Sequence, residues 1–247
     1  MTEYAPYQGS AFAPPPGHLG PAGLLRVRAV LAIIALGLIG AEALVATGML
    51  AYTYRALSGA DRMDGTMLAI IDYLDGPRTA VVLLLLVFSG TAFIVWLHRA
   101  RTNLDGPADW ELNWKRGWTI GGWFVPLANF VIPQLVVSEI DRVSERRANE
   151  AEGRPYRRRR GILMLWIVLW TLFQLQERTT TAALDRLAAE PSVLLAMVGS
   201  LIEVAAVASA ILLVLRITAN QERLMAHAAQ PGPGAYPVAD SEPPGGK

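Results

Sequence analysis

Three polar side chains stand inside otherwise apolar stretches of this 247-residue chain: Glu42, Gln174 and Glu203. We counted inward from the end of each stretch along a helix that rises about 1.5 Å per residue, and all three fall roughly 20 Å from the same membrane boundary. They are therefore expected to meet at one level, slightly beyond the midplane of a bilayer. An ionised carboxylate is costly at that depth, and two close together are more so.

Two kinds of chemistry suit this possible intramembrane site. The side chains can form a polar clamp that joins three helices, at about 1 kcal/mol per hydrogen bond. They can also form a proton or cation site, because intramembrane acids often mark transport pathways. Residue type and depth alone leave both interpretations open.

Four apolar stretches position these residues: 29–51, 79–97, 161–175 and 192–215. About 20 apolar residues are needed to cross a bilayer, and the third stretch reaches that length only with its flanks. The chain is 53% hydrophobic and 17% charged, whereas about a quarter of a typical soluble protein is charged. We predict an all-α polytopic bundle of four transmembrane helices over 24–227. The Pro- and Gly-rich ends, 1–23 and 228–247, are expected to be disordered cytoplasmic tails.

Arginine residues are distributed unevenly among the connecting segments. The loops 52–78 and 176–191 carry few cations and are balanced by acids, whereas the segment between the second and third stretches is strongly basic. The positive-inside rule therefore places that segment and both termini in the cytoplasm of a multi-pass cell-membrane protein. A basic belt beside the third stretch should lie among anionic headgroups, at about 1 kcal/mol per cation: Arg157, Arg158, Arg159 and Arg160. Nucleic-acid binding is not expected, because no folded basic domain surrounds this run.

Residues 117–137 are long enough to cross the membrane, yet one crossing would carry a cluster of cations to the outside. Pro126 and Pro133 bracket Asn129, and proline disrupts a continuous helix. Tryptophan residues upstream favour the headgroup level. We therefore predict a Trp/Pro-rich broken helix that is either interfacial or re-entrant, with an amphipathic helix following it.

Three sequence blocks support a resemblance to a known family: WLHRARTNL, GWTIGGWFVPLANFVIPQLVVSEI and LRITANQER. In this order the chain resembles the bacterial membrane family catalogued as domain of unknown function 4328, over about residues 27–224. The most specific family-motif positions are Trp118, Trp123, Phe124, Pro126, Asn129 and Pro133. The resemblance implies a multi-pass bacterial membrane domain without an assigned activity, and it supplies no catalytic residues.

Residues for enzyme chemistry are sparse. The chain has no cysteine and three scattered histidines, and common hydrolase, metalloprotease and nucleotide-binding motifs do not occur. We expect no enzyme activity, cofactor or metal site. The predicted function is a non-enzymatic scaffold or regulatory membrane protein that engages lipid, a membrane protein partner or a second copy of itself. The alternative is a small proton- or cation-coupled transporter, or a channel-like protein, that uses Glu42 and Glu203.

Overall fold

The computed structural model describes residues 22–59, 65–105, 111–158, 160–183 and 189–229. Apart from two residues of each, the predicted tails 1–23 and 228–247 lie outside the described residues. The described ranges contain helices and turns and no β-strand. The prediction of an all-α protein is therefore confirmed.

Within the described residues, six α-helices and one three-residue 3-10 helix follow one another. In chain order they are α1 (Ala22–Leu57), α2 (Gly65–Thr102), α3 (Trp118–Gly121), the 3-10 helix (Ala128–Phe130), α4 (Ile132–Ala151), α5 (Gly161–Ala183) and α6 (Ala189–Ala228). The three longest helices extend well beyond the apolar stretches that the sequence defines.

Three of the helices contain segments long and apolar enough to cross a membrane: Gly23–Leu57 of α1, Gly76–Thr102 of α2 and Glu190–Ala228 of α6. Apolar side chains cover much of their outward surface, and Leu84 on α2 is 71% exposed. Lipid tails cover such side chains in a bilayer, so the chain has the character of a membrane protein. The remaining predicted span lies in α5, whose apolar part, Gly161–Gln176, is shorter.

Helix α6 is the central element, because it packs against α1, α4 and α5, while α1 also packs against α2. Glycine residues allow the close contacts. A Cβ atom on Gly40 of α1 would lie 3.0 Å from Cγ1 of Val207, and one on Gly199 of α6 would lie 2.2 Å from the side-chain amide of Gln176. Small residues at such positions let membrane helices approach one another closely.

A buried core lies where the N-terminal end of α1 meets the C-terminal ends of α2 and α6. Leu25 of α1, Trp96 of α2 and Ile217 of α6 are fully buried there, together with Ile140 of α4. We call this part of the molecule the basal end. It fixes α1, α2 and α6 relative to one another and attaches α4 to them.

Residues 117–137 form separate short elements that lead into α4. Leu127 has a φ of +65°, a conformation that is uncommon for a residue other than glycine. Gly122 lets the chain turn closely, since a Cβ atom there would lie 2.9 Å from Cγ2 of Ile132. Pro133 lies in the first turn of α4. Proline is tolerated there because backbone N–H groups in the first turn of a helix have no carbonyl partner within the helix.

Candidate functional site

Glu42 forms an ion pair with Arg78 of α2. Nη2 of Arg78 donates a hydrogen bond to Oε1 of Glu42 at 2.6 Å, and the Glu42 side chain is 16% exposed. From the sequence, Arg78 was expected at the end of the loop 52–78, before the second apolar stretch. Because α2 begins at Gly65, Arg78 instead lies on a helix that packs beside α1. The guanidinium compensates the negative charge that made Glu42 costly at membrane depth.

Gln174 and Glu203 line one cavity of about 590 Å³ between α1, α2, α5, α6 and the segment that precedes α4. Glu42 is not among the described residues that line it. Aromatic residues form much of the wall: Phe93, Trp123, Phe124, Trp166, Trp170 and Phe173. Roughly 300–1,000 Å³ and a mostly apolar wall with a few polar groups are typical of a small-molecule site.

The aromatic rings form a continuous series from α2 to α5. Phe93 contacts Trp123 with ring centroids 5.8 Å apart, and Trp123 contacts Trp170 at the same distance, both edge to face. Trp166 stacks on Trp170 one turn away, at 6.3 Å. Edge-to-face pairs are a favourable aromatic geometry, so Trp123 anchors the segment before α4 to α2 and α5.

Two polar atoms in the cavity-lining residues are buried and have no hydrogen-bond partner among the described residues: Nε1 of Trp170 and Oδ1 of Asn129. A buried polar group without a partner costs about 1–3 kcal/mol. The N–H of Trp123 differs, because it donates to the carbonyl oxygen of Thr119 at 3.0 Å. Both atoms are almost inaccessible to a water-sized molecule, so the ring of Trp170 and other atoms of Asn129 form the cavity surface.

The family-motif residues have different positions in the structure. Trp123, Phe124 and Asn129 line the cavity. Trp118 lies apart from it and contacts Trp114 edge to face at 5.8 Å. Pro126 is exposed in the turn, and Pro133, described above, begins α4. Three of the six motif residues therefore line the cavity, and the other three lie in the segments that precede and begin α4.

A protein-family model described as a domain of unknown function (DUF4328) matches residues 61–219. The chain belongs to this family. The match confirms the predicted resemblance, and it runs from the start of α2 into the basal part of α6 while leaving α1 outside. No curated protein and no solved structure shows a significant match to the chain.

The basal end of this DUF4328 protein contains a buried hydrogen-bond hub at Gln221, which is 1% exposed. Its Nε2 donates to the carbonyl oxygen of Ala100 at 2.9 Å and to Oγ of Ser144 at 3.0 Å. Its Oε1 accepts from Nδ2 of Asn103 at 3.1 Å. One side chain of α6 thus joins the end of α2 to α4.

Arg216 of α6 holds α4 through two carboxylates. Its guanidinium lies 3.1 Å from Asp141 and 3.0 Å from Glu145. Burial raises the pKa of Asp141 from 3.8 to about 6; Glu145 also raises it, while Arg216 and Arg158 lower it. Two acids therefore share one close cation, and Asp141 is only partly compensated.

The segment that follows α2 in the DUF4328 domain supplies acids to other arginines. Asp105 pairs with Arg101 and Arg116. Glu111 pairs with Arg147 at 3.1 Å and also with Arg146. These pairs use arginines that the sequence counted only as topological signals.

Three arginines of the predicted basic belt are exposed and have no carboxylate within ion-pair distance among the described residues: Arg157, Arg158 and Arg160. Arg159 lies outside the described residues. Arg154, in the same linker, is different because it pairs with Glu152 at 3.2 Å. The belt therefore differs from basal arginines such as Arg101, Arg147 and Arg216, which lie in ion pairs with acids of the fold.

Trp170, Gln221 and Asp141 were not predicted as site residues from the sequence. Trp170 lies in an apolar stretch, where a tryptophan is typical of a buried core position. The sequence does not show whether its indole N–H finds an acceptor. For Gln221 the sequence gave one weak indication of importance: it lies in the LRITANQER block that supported the resemblance.

Proposed function

We propose that this DUF4328 protein is a non-enzymatic regulatory or scaffold protein of the plasma membrane with four spans. The observation that carries the proposal is the contrast among basal arginines. Arg101, Arg147 and Arg216 lie in ion pairs with acids, whereas Arg157, Arg158 and Arg160 are exposed beside α5 and lie in none among the described residues. Exposed charges outside such pairs are available to anionic headgroups and to a protein partner.

Helix α5 is the fourth span in this proposal. Its apolar part, Gly161–Gln176, extends roughly 24 Å at about 1.5 Å per residue, and the whole helix of 23 residues extends roughly 34 Å, so the polar end of the helix completes the crossing of a core of about 30 Å. With four crossings, both termini lie on one side. The basal end supports this topology, because the start of α1 packs there against the ends of α2 and α6.

Residues 117–137 enter the bilayer from the basal side without crossing it. Phe124, Leu127 and Val131 support this placement, being 73%, 80% and 55% exposed. Exposed apolar side chains are stabilised by lipid contact, while the tryptophan behind them fixes the segment to the bundle.

Topology is tested with single cysteines, since the chain has none of its own. Positions Gly59, Asn149 and Ala188 are replaced one at a time and probed with an impermeant thiol reagent in intact cells; Ala188 lies outside the described residues. We expect labelling at 59 and 188 only. Labelling at 149 would refute a cytoplasmic basal end.

Partner binding is tested with a photo-crosslinking amino acid at position 157 in native membranes. We expect a discrete protein adduct that is lost when Arg158 and Arg160 are changed to glutamine. Arg154→Gln is the matched control, because this linker arginine already has an acidic partner, and it should keep the adduct. A crosslinker at Leu84 on the lipid-facing surface should give no protein adduct. An adduct at 157 that survives the double substitution, or no protein adduct there, would contradict the proposal.

A second candidate function is proton- or cation-coupled transport, favoured by the position of Glu203 and Gln174 in a cavity between helices. Glu42 fits it less well, because Arg78 already pairs with it. Glu203→Gln keeps hydrogen bonding and removes titration, so transport predicts loss of flux in proteoliposomes with this variant. Absence of flux above empty vesicles for the wild-type protein would eliminate this candidate.

A further inference from the structure

Helix α4 is held on α6 by two carboxylates that share one cation unequally. Asp141 and Glu145 lie one turn apart on α4, and both contact the guanidinium of Arg216. Nη2 of Arg216 donates a hydrogen bond to Oε2 of Glu145 at 3.0 Å. Oδ1 of Asp141 lies 3.1 Å from Nε of Arg216, yet it is buried and has no hydrogen-bond partner among the described residues. Glu145 is therefore the better partner of Arg216, and Asp141 is the acid that gains more from a proton.

The surroundings of Asp141 compensate its charge only in part. Its side chain is 5% exposed, and burial disfavours an ionised carboxylate. Glu145 on the same helix repels the charge, and Arg158 in the linker after α4 attracts it.

The other elements packed on α4 direct their charges elsewhere or carry none. Glu111, in the segment before α3, pairs with Arg146 and Arg147. Helix α3 and the 3-10 helix contain no charged residue. Helix α2 meets this part of α4 through the uncharged hub at Gln221. The protonation state of Asp141 therefore depends on burial and on its three charged neighbours.

We propose that Asp141 makes the contact between α4 and α6 a proton-sensitive latch. When its carboxylate takes up a proton from the aqueous phase, the buried charge is removed, Arg216 keeps its bond to Glu145, and α4 stays closed on α6. When Asp141 is ionised, closing α4 buries a charge, so α4 opens more often. Closure also restrains the basic belt, because Glu152 after α4 pairs with Arg223 of α6 at the start of the same linker.

The direction of the pH dependence follows from proton linkage. Burial raises the pKa of Asp141 to about 6 in the closed protein, from an ordinary value of 3.8. The closed state therefore binds the proton more strongly than an open state in which Asp141 is hydrated. The advantage of closure is fully present below pH of about 4 and is lost as the pH rises through about 6. Between pH 7.5 and pH 5, the ratio of closed to open α4 should rise about tenfold.

Hydrogen exchange of the full-length protein in nanodiscs measures this opening. After correction for intrinsic exchange rates, amides of α4 should be about tenfold better protected at pH 5 than at pH 7.5. A spin label on a cysteine at position 157 reports the belt, and its motion should be slower at pH 5. The lipid is zwitterionic, so neither result requires the belt to bind anionic headgroups or a protein partner. Protection of α4 that is independent of pH, or equal motion of the label at both pH values, would overturn the proposal.

Three substitutions assign the effect to Asp141. Asp141→Asn removes the titration and keeps the side-chain shape, so α4 should be well protected at both pH values. Glu145→Gln removes the repelling charge and lowers the pKa of Asp141, so the pH dependence should move to lower pH. Glu150→Gln is the control, because this acid of α4 has a side chain that is 60% exposed, and the tenfold ratio should survive. A tenfold ratio retained in Asp141→Asn, or an unmoved pH dependence in Glu145→Gln, would contradict the latch.

Discussion

The basal end and the cavity half of the bundle use polar side chains to different extents. At the basal end, Gln221 makes three hydrogen bonds and Arg216 holds two carboxylates. In the cavity half, helices meet through glycine and aromatic contacts and through single hydrogen bonds, such as the one between Thr47 and Ser200 at 2.9 Å. Buried polar atoms without a partner among the described residues occur in both halves.

This difference in the number of polar contacts should appear in stability. Removing a side chain that makes several buried hydrogen bonds leaves several groups unpaired, and each unpaired buried group lowers stability. Removing a side chain that makes one such bond or none leaves fewer groups unpaired. Stability measurements should therefore distinguish the two halves.

The largest effect is expected at the basal hub. Gln221→Leu leaves buried groups of Asn103, Ala100 and Ser144 without their partner, so the protein should lose about 3 kcal/mol or more of unfolding free energy. Gln174→Leu is the matched change at the cavity wall and should cost less than about 1 kcal/mol. Thermal unfolding in detergent measures both. A larger loss of unfolding free energy for the Gln174 variant than for the Gln221 variant would show that the polar contacts of the basal end are not the stronger ones.

A smaller effect, dependent on pH, is expected at Asp141. Its pKa is about 6 in the folded protein and 3.8 as the ordinary value, so between these values the folded state binds more protons. Unfolding free energy should therefore rise as the pH falls from about 6 toward 4, by on the order of 2 kcal/mol. Asp141→Asn removes this contribution. The difference between the two stability–pH curves isolates it, and parallel curves would show that Asp141 does not titrate in this range.

Helix packing in the cavity half is tested by two glycines. Gly199→Ala forces the buried Gln176 side chain to move, because the new Cβ would lie 2.2 Å from it, and should cost about 1–2 kcal/mol. Gly37→Ala meets nothing within 4 Å and should be neutral or slightly stabilising, since alanine favours the helix. Equal melting temperatures for the two variants would mean that α5 and α6 pack less closely than described.

The smallest effect is expected at the pair between Glu42 and Arg78. The Arg78 side chain is 35% exposed, so solvent weakens the interaction, and we expect a coupling energy of about 1 kcal/mol. A double-mutant cycle with Glu42→Gln and Arg78→Gln measures it. Additive losses in the double variant would show that the two side chains do not interact.

The sequence was sufficient for the family, the all-α class and three membrane helices, because these depend on residue order and on apolar length. The ion-pair partner of Glu42 could not be predicted in this way. Its depth was counted from apolar boundaries, but α2 begins at Gly65, before its apolar stretch. Arg78 therefore reaches Glu42 from a helix rather than a loop, and hydropathy does not report how far a helix extends into polar sequence.

The cavity could be predicted only in part. Gln174 and Glu203 were expected to share a level, and both line the cavity. Trp170 was not expected, because its importance depends on the absence of an acceptor nearby, which is a property of packing. Gln221 was missed for a related reason: its three partners come from α2, the segment after α2 and α4, so that only the tertiary fold assembles them.

Helix α6 runs without interruption through both halves of the molecule. Glu203 lies on it at the cavity, and Gln221 lies on it in the hub, roughly 27 Å away at about 1.5 Å per residue. Because the helix is continuous and holds α4 through Arg216 and Gln221, a change of its tilt at the cavity would be transmitted to α4 at the basal end.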